Sequence, residues 1–262
     1  MLPPEIPLGM RRMGPPRRPF RFVSLLPYLG LILLLLWLWS MVPKGPFPPE
    51  PGTIESATPV VVVDAGHGGH DNGAMRGGLV EKALTLDTAL RLERMLKQRG
   101  FTVVMTRRDD RFIELYERSR VANQYARALF VSVHFNDSAT ESGEGVETFF
   151  ASEKVAGGAS RKVEPPPADK GAAFAQAVQQ SLVSRLGALD RGTKERSFAV
   201  VRHTRCPAVL VEGGFMNNPA ELRLLKEPAY RERLAAAITE GVTNYHRQRA
   251  VEAAKGAVAK SK

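Results

Sequence analysis

Cysteine is almost absent from these 262 residues, with Cys206 standing alone. One thiol can form no internal disulfide and builds no multi-cysteine zinc site, so a bound metal would have to be held by imidazole and carboxylate. Cys206, next to Pro207 and ahead of an apolar run, reads as a small apolar residue. The body of the chain also lacks an excess of either charge. The formal net charge is +10, but residues 1–44 carry six basic side chains against one acidic and residues 247–262 five against one. Between them, residues 45–246 carry 26 basic and 25 acidic side chains. A nucleic-acid-binding domain needs its Lys and Arg clustered on the folded face that meets phosphate. Basic ends on a neutral body therefore argue against a nucleic-acid partner. Low complexity is missing too: 44% hydrophobic and 24% charged residues, with 23 Gly and 19 Pro and no internal repeat, mark a globular chain with a sizeable core.

One run stands out for its lack of charge. Phe22 to Val42 holds no ionisable acid or base, and Leu31 to Trp39 shows no polar face. About 20 such residues cross a bilayer core. Five arginines precede the run (Arg11, Arg12, Arg17, Arg18, Arg21), and Lys44 is the one basic residue shortly after it. The positive-inside rule then predicts a cytoplasmic basic N-terminus (1–21), a single transmembrane signal anchor (22–42) and an exported body in the periplasm or outside the cell. The Ser-Met-Val-Pro stretch after Trp39 offers no small-residue cleavage site, which favours an uncleaved anchor over a signal peptide. Residues 43–58 are a Pro-rich tether, residues 59–249 the folded domain, and residues 250–262 an Ala/Lys tail expected to fray.

Within the body, strand-like and helix-like patterns alternate. Pro59–Val63 is a β-branched run suited to a strand buried on both faces, broken by the glycine-rich loop Asp64–Gly73. Helical spacing over Glu81–Arg99 stops at Gly100. Phe101–Thr106 reads as a strand, Ile113–Arg127 as a helix and Ala128–Val133 as a strand ending at His134. Strands at Gly145–Ala151, Phe198–Val201 and Ala208–Val211 and helices at Asp169–Leu186, Pro219–Lys226 and Pro228–His246 complete the pattern. The order predicts an α/β fold, a mostly parallel sheet flanked by helices on both faces, forming one catalytic domain. Ligands in such sheets collect beyond the carboxyl ends of the strands. His67, His134 and Glu212 each fall at such an end.

A hydrolytic zinc site takes three ligands from His and carboxylate and leaves a fourth position for water. His67, Glu81 and His134 supply that set, and Glu212 stands apart as a general base whose apolar neighbours Val209, Leu210 and Val211 would raise its pKa. Each residue taken singly also has a plain structural use: a hydrogen-bonded histidine, an acidic helix start, a carboxylate in an exposed turn. His70 competes with His67 as a ligand, and His203 reads as a rim residue.

These residues occur in segments that resemble the zinc-dependent N-acetylmuramoyl-L-alanine amidases of the amidase-3 type. The segments are Val-Val-Asp-Ala-Gly-His67-Gly-Gly with Asp71 and Gly73-Ala74, Glu81-Lys82 opening a helix, and Thr106-Arg107 with Asp109. They continue with Arg120-Val-Ala-Asn123, Ser132-Val-His134-Phe-Asn136, Gly145-Val-Glu-Thr, Arg191-Gly192 and Pro207-Ala-Val-Leu-Val-Glu212-Gly-Gly-Phe-Met-Asn-Asn218. The resemblance covers nearly all of residues 60–246. It implies zinc on His67, Glu81 and His134, Glu212 as the catalytic glutamate, and peptidoglycan or muropeptides as substrate. The reaction it implies is hydrolysis of the amide between the lactyl group of N-acetylmuramic acid and the first L-alanine of the stem peptide. Asn136, just after a ligand, reads either as a substrate-orienting residue or as a turn residue.

Some regulated members of that family carry a long helical plug after the Gly-Val-Glu-Thr strand. Here the corresponding stretch, Ser152–Asp169, is short and holds Gly157, Gly158, Pro165, Pro166 and Pro167, which disfavour a long helix. A self-blocking plug is not expected, and a separate protein activator stays open. Two other readings of the same residues are a catalytically silent peptidoglycan-binding or regulatory module and a zinc peptidase acting within the stem peptide.

Overall fold

In a computed structural model of the chain, residues 54, 56, 58–138, 143–151 and 168–260 are described. The chain divides into two compact units, residues 1–48 and 49–262, and every described residue lies in the second. The expected anchor at 22–42, the N-terminus ahead of it, most of the tether and the stretch 152–167 lie outside the described residues. Among the described residues no helix is long and apolar enough to cross a membrane.

Strand β1 (Val60–Ala65) is buried along its whole length and pairs in parallel on both sides, with β4 (Thr102–Met105) and β5 (Ala128–Asn136). A short hairpin of β2 (Met75–Arg76) and β3 (Leu79–Val80) lies between β1 and helix α1 (Glu81–Gln98). Helix α2 (Leu115–Asn123) joins β4 to β5. Then follow β6 (Val146–Phe150), α3 (Ala168–Leu186), β7 (Asp190–Glu195), α4 (Ala199–Arg202), β8 (Ala208–Phe215), α5 (Pro219–Lys226) and α6 (Pro228–Lys260). The sheet order is β4-β1-β5-β8-β6-β7. The first four strands run parallel, β6 runs antiparallel to β8, and β7 runs parallel to β6.

Period-two alternation divides the core between two faces. Val61 and Val63 pack with Leu92, Phe174, Leu234 and Ile238 from α1, α3 and α6, while Val60 and Val62 pack with Ala122 and Val201 from α2 and α4. A fully buried valine contributes about 1.5–3 kcal/mol. That matches or exceeds the roughly 1–2 kcal/mol needed to order its backbone, so the buried valines offset the cost of fixing β1 between its two partner strands. Among the described residues the second face is covered by the short helices α2 and α4, and its upper end, at the C-termini of β1, β5 and β8, carries polar groups instead of packed apolar ones.

The structure differs from the sequence-based expectation at several places: β5 and β8 run past His134 and Glu212 to Asn136 and Phe215, the helix expected over Ile113–Arg127 spans only Leu115–Asn123, and four further differences stand out. Phe198–Val201, expected as a strand, is replaced by the one-turn helix α4, because so short an apolar run fits either period. Strand β7 reads Asp-Arg-Gly-Thr-Lys-Glu and has no apolar alternation; it is a polar edge strand. The β2–β3 hairpin was too short to be legible, and turns through Gly77 and Gly78, both at positive φ. Helix α6 passes His246 and continues to Lys260, and this extension, exposed from Val251 to Gly256, is rich in strong helix formers such as Ala and Lys.

Candidate metal centre

The strand register sets three titratable side chains in a row. His134 on β5 is the Cα partner of Glu212 on β8, and Glu212 is the partner of Glu147 on β6. All three share the period of Phe130, Leu210 and Phe149, which pack in the smaller core cluster, so they point to the face that α2 and α4 leave open at its upper end. One residue further along, Gly66 follows β1 beside His134, and a Cβ there would overlap the imidazole ring. Beyond Glu212 the pairing slips by one residue, with a bulge at Gly213-Gly214, before Asn136 meets Phe215.

His67 comes to the row on the loop after β1. Its backbone is left-handed, at φ 60°, a strained conformation for a residue with a Cβ, and two buried arginines over-determine it. Arg118 donates to the carbonyls of Ala65 and His67, each at 2.8 Å, and Arg107 donates to Gly66 O at 2.7 Å. Beneath them Asp64 is fully buried and accepts from Arg118 at 3.0 Å, Thr106 at 2.7 Å and Ser132 at 2.6 Å. A buried ion pair is tolerated only when its remaining hydrogen-bonding groups are satisfied, as they are here.

Glu81 opens α1 with no side-chain cap before it, and its buried carboxylate turns back toward the sheet. Oε2 accepts from Ala74 N at 2.9 Å and Oε1 from Phe135 N at 3.1 Å. Oε1 also lies 3.0 Å from His67 Nε2 and 3.1 Å from His134 Nδ1. Burial would raise the Glu81 pKa, but the bonds and charges of His134 and His67 outweigh it and hold the carboxyl well below its ordinary range. For His67, burial pulls the pKa down while Glu81 and Asp71 push it up, with a net rise. Asp71 Oδ2 sits 2.8 Å from His67 Nδ1, which leaves Nε2 to face Glu81 and His134. Gly73 makes room for the cluster, since a Cβ there would lie 2.5 Å from Glu81 Oε2 and 2.7 Å from the His67 ring.

Ligand atoms of His67, Glu81 and His134 all lie within 4.8 Å of one another, the one such trio among the described residues. Two imidazoles and a carboxylate are the donor set of open, hydrolytic zinc sites, so these residues fit that ion. His70 is exposed and stacks on Phe112 at 4.1 Å, away from the trio. His203 lies by Tyr116, 6.0 Å ring to ring. Cys206 is partly buried, and burial pushes its thiol pKa up to about 12, as befits an inert packing residue.

Glu212 is the uncompensated member of the row. Its Oε2 is out of contact with solvent and has no hydrogen-bond partner among the described residues. Burial, followed by the charges of Glu81 and Glu147, raises its pKa well above the ordinary value. Glu147 is buried as well, yet fully paired: Oε1 accepts from Asn136 Nδ2 at 2.8 Å, and Oε2 from Arg191 Nε at 3.1 Å and from Lys194 Nζ. Asn136 therefore spends one amide N–H on Glu147 and keeps Oδ1 and its second N–H for other use. The sequence reading assigned no role to Glu147, Arg118 or Asp64. A lone acid inside the apolar strand Val-Glu-Thr-Phe-Phe was the available sign for Glu147.

Residues 61–244 match the family described as Amidase_3, N-acetylmuramoyl-L-alanine amidase. The chain is 34% identical over 187 residues to N-acetylmuramoyl-L-alanine amidase LytC of Bacillus subtilis (strain 168). That match takes in 71% of this chain and 35% of LytC, so the chain spans about a third of that relative's length. Among solved structures it is similar to the catalytic domain of CwlV, an N-acetylmuramoyl-L-alanine amidase from Bacillus (Paenibacillus) polymyxa var. colistinus. The TM-score is 0.62 at 36% identity, covering 72% of this chain and 98% of that one. It is also similar to the CwlD amidase from Clostridioides difficile, solved in complex with the GerS lipoprotein. That TM-score is 0.64 at 26% identity, over 72% of this chain and 98% of the other.

Proposed function

This chain belongs to the N-acetylmuramoyl-L-alanine amidase family, and from that membership we propose that it is a peptidoglycan hydrolase. It cleaves the amide between the lactyl group of N-acetylmuramic acid and the L-alanine of the stem peptide. The observation that carries the reading is a half-buried carboxylate, Glu212, whose Oε2 is shielded from solvent with no hydrogen-bond partner among the described residues, set in register beside His134, where His67 and Glu81 also converge.

In this reading His67, Glu81 and His134 hold a zinc ion, which when bound supplies a Lewis acid for the amide carbonyl and lowers the pKa of water. Glu212 takes a proton from the attacking water on its carboxylate and delivers it to the departing L-alanine nitrogen, leaving a carboxylate on the lactyl side and a free amine on the peptide. Its burial against Glu81 and Glu147 raises its proton affinity, which suits a group that must accept a proton and then give it up. Asp71 fixes the ring of His67, and Arg107 and Arg118 hold the loop that presents it. Asn136 orients substrate through Oδ1 and the amide hydrogen that Glu147 leaves to it.

The uncharged run 22–42 behind five arginines supports a single-pass location, with the catalytic domain on the outer side of the cell membrane. A protein activator is also part of this proposal, supported by the lipoprotein seated on the similar CwlD amidase. Digestion of purified muropeptides by the zinc-loaded full chain, beside Glu212→Gln, tests the central reading. Stem peptide with a free L-alanine amine, absent in the variant while zinc content is unchanged, is the expected result. Zinc-loaded protein that cuts only between stem residues would refute it in favour of a peptidase.

A further inference from the structure

Beyond Glu212, on the side away from the zinc trio, Glu147 gathers two cations from the edge strand β7, Arg191 and Lys194. The carboxylate they share is buried, but about a third of each cation's side chain is exposed (33% and 32%). Glu147 thus works from below as a tether, and the outward faces of the two cations border the catalytic row. The Arg191 guanidinium is further oriented by the Phe215 ring, 4.8 Å from its centroid, and by Glu144 O, 3.4 Å from Nη1. Its Nη2 has no partner among the described residues. Lys194 lies over Phe149 at 5.9 Å. Asp190 Oδ1 is taken up by Gln179 and Gly192 N, while Glu221 lies within electrostatic reach of Arg191 and Glu212 within reach of Glu147. What the rim offers is therefore the outward-facing N–H donors of two partly exposed cations.

We propose that Arg191 and Lys194, held by Glu147, form a carboxylate-binding subsite that reads the peptide side of the substrate. The inference rests on the amidase reading. In a muropeptide the lactyl carboxyl is tied up in the scissile amide, so the free carboxylates near that bond belong to the stem peptide. A carboxylate subsite on the β6–β7 side of Glu212 therefore orients the substrate, with the peptide running toward β7 and the sugar lying over the loop of His67 and the start of α1. The planar fork of Arg191, already immobilised, loses little freedom on binding a carboxylate.

The test uses matched substrates cut by the zinc-loaded full chain. One pair, N-acetylmuramoyl-L-alanyl-D-isoglutamate and its isoglutamine amide, differs only in the carboxylate of the second residue. A second pair of tripeptide substrates carries diaminopimelate or lysine at the third. Wild type is expected to favour the carboxylate member of one pair in kcat/KM by roughly tenfold, as a charge-assisted bond allows. Arg191→Gln and Lys194→Gln should each bring that ratio toward one, mainly through KM; the pair that responds shows which carboxylate is read. Because the ratio is taken within one protein, a general loss of fold or metal leaves it unchanged. Equal rates on both members of both pairs in wild type, or a preference that survives in both variants, would overturn the subsite while leaving the amidase reading intact. A wild type that cuts none of the four overturns both.

Discussion

Replacing Glu212 by Gln should make the zinc-free protein more stable while abolishing its activity. Glu212 Oε2 lies out of contact with solvent, without a donor, near two other carboxylates. A carboxylate so placed has its pKa raised on folding. Its contribution to stability is therefore complete below the ordinary glutamate value of about 4.3 and is lost as pH rises through the raised one. Across that window wild type should fall behind the Gln variant by about 1.4 kcal/mol per pH unit, since the amide cannot ionise. The accumulated difference should reach about 1–3 kcal/mol, the usual cost of a buried polar group left without a partner. For a domain of this size 1 kcal/mol moves Tm by about 2–4 °C, so the variant should melt about 2–12 °C higher above the window and together with wild type at its acid end. Melting curves in chelator from pH 4 to pH 9 would measure this, and repeating them with zinc should close the gap, because a nearby dication stabilises the ionised form. A Gln variant that melts below wild type at every pH would refute the argument, since it would mean that the carboxylate has a stabilising partner.

Three further outcomes follow from the same geometry. Asp71→Ala removes the acceptor of His67 Nδ1 and should weaken zinc binding by about 10–100-fold in a competition titration with a chromophoric chelator. Unchanged affinity would mean that the ring is held by packing alone. Arg118→Met strands the buried charge of Asp64 and should cost about 3–5 kcal/mol in chemical denaturation, whereas adding Asp64→Asn should recover part of the loss; a double variant no better than the single one would sink the pairing. Gly66→Ala puts a methyl group into the His134 ring and should lower zinc content in the purified protein while leaving its circular dichroism intact; full zinc content would show that the ring can move aside.

Much of the site was legible because its chemistry sits in short segments. The glycine-rich loop around His67, the acid opening α1 and the polar residues closing β5 and β8 are all local features. Glu147 was hidden because nothing near it in the chain states that its strand lies against β8. Arg191 stood in a segment of the family resemblance, but its pairing with Glu147, like that of Lys194, was hidden because β7 has no apolar alternation to mark it as a strand. The confusion of Phe198–Val201 with a strand has the same origin, since four apolar residues fit two periods until the packing of α4 against α2 selects one.

By itself the sequence determined the layered α/β plan, the two-sided burial of β1 and the donor types available for a metal, because period-two and period-3.6 patterns and ligand chemistry are local properties. Tertiary structure alone decided the register that puts Glu212 between His134 and Glu147, and with it which carboxylate is paired and which is left bare. Register between strands far apart in the chain is set by how two core faces close on the sheet, and a one-residue slip would have turned Glu212 to the other face.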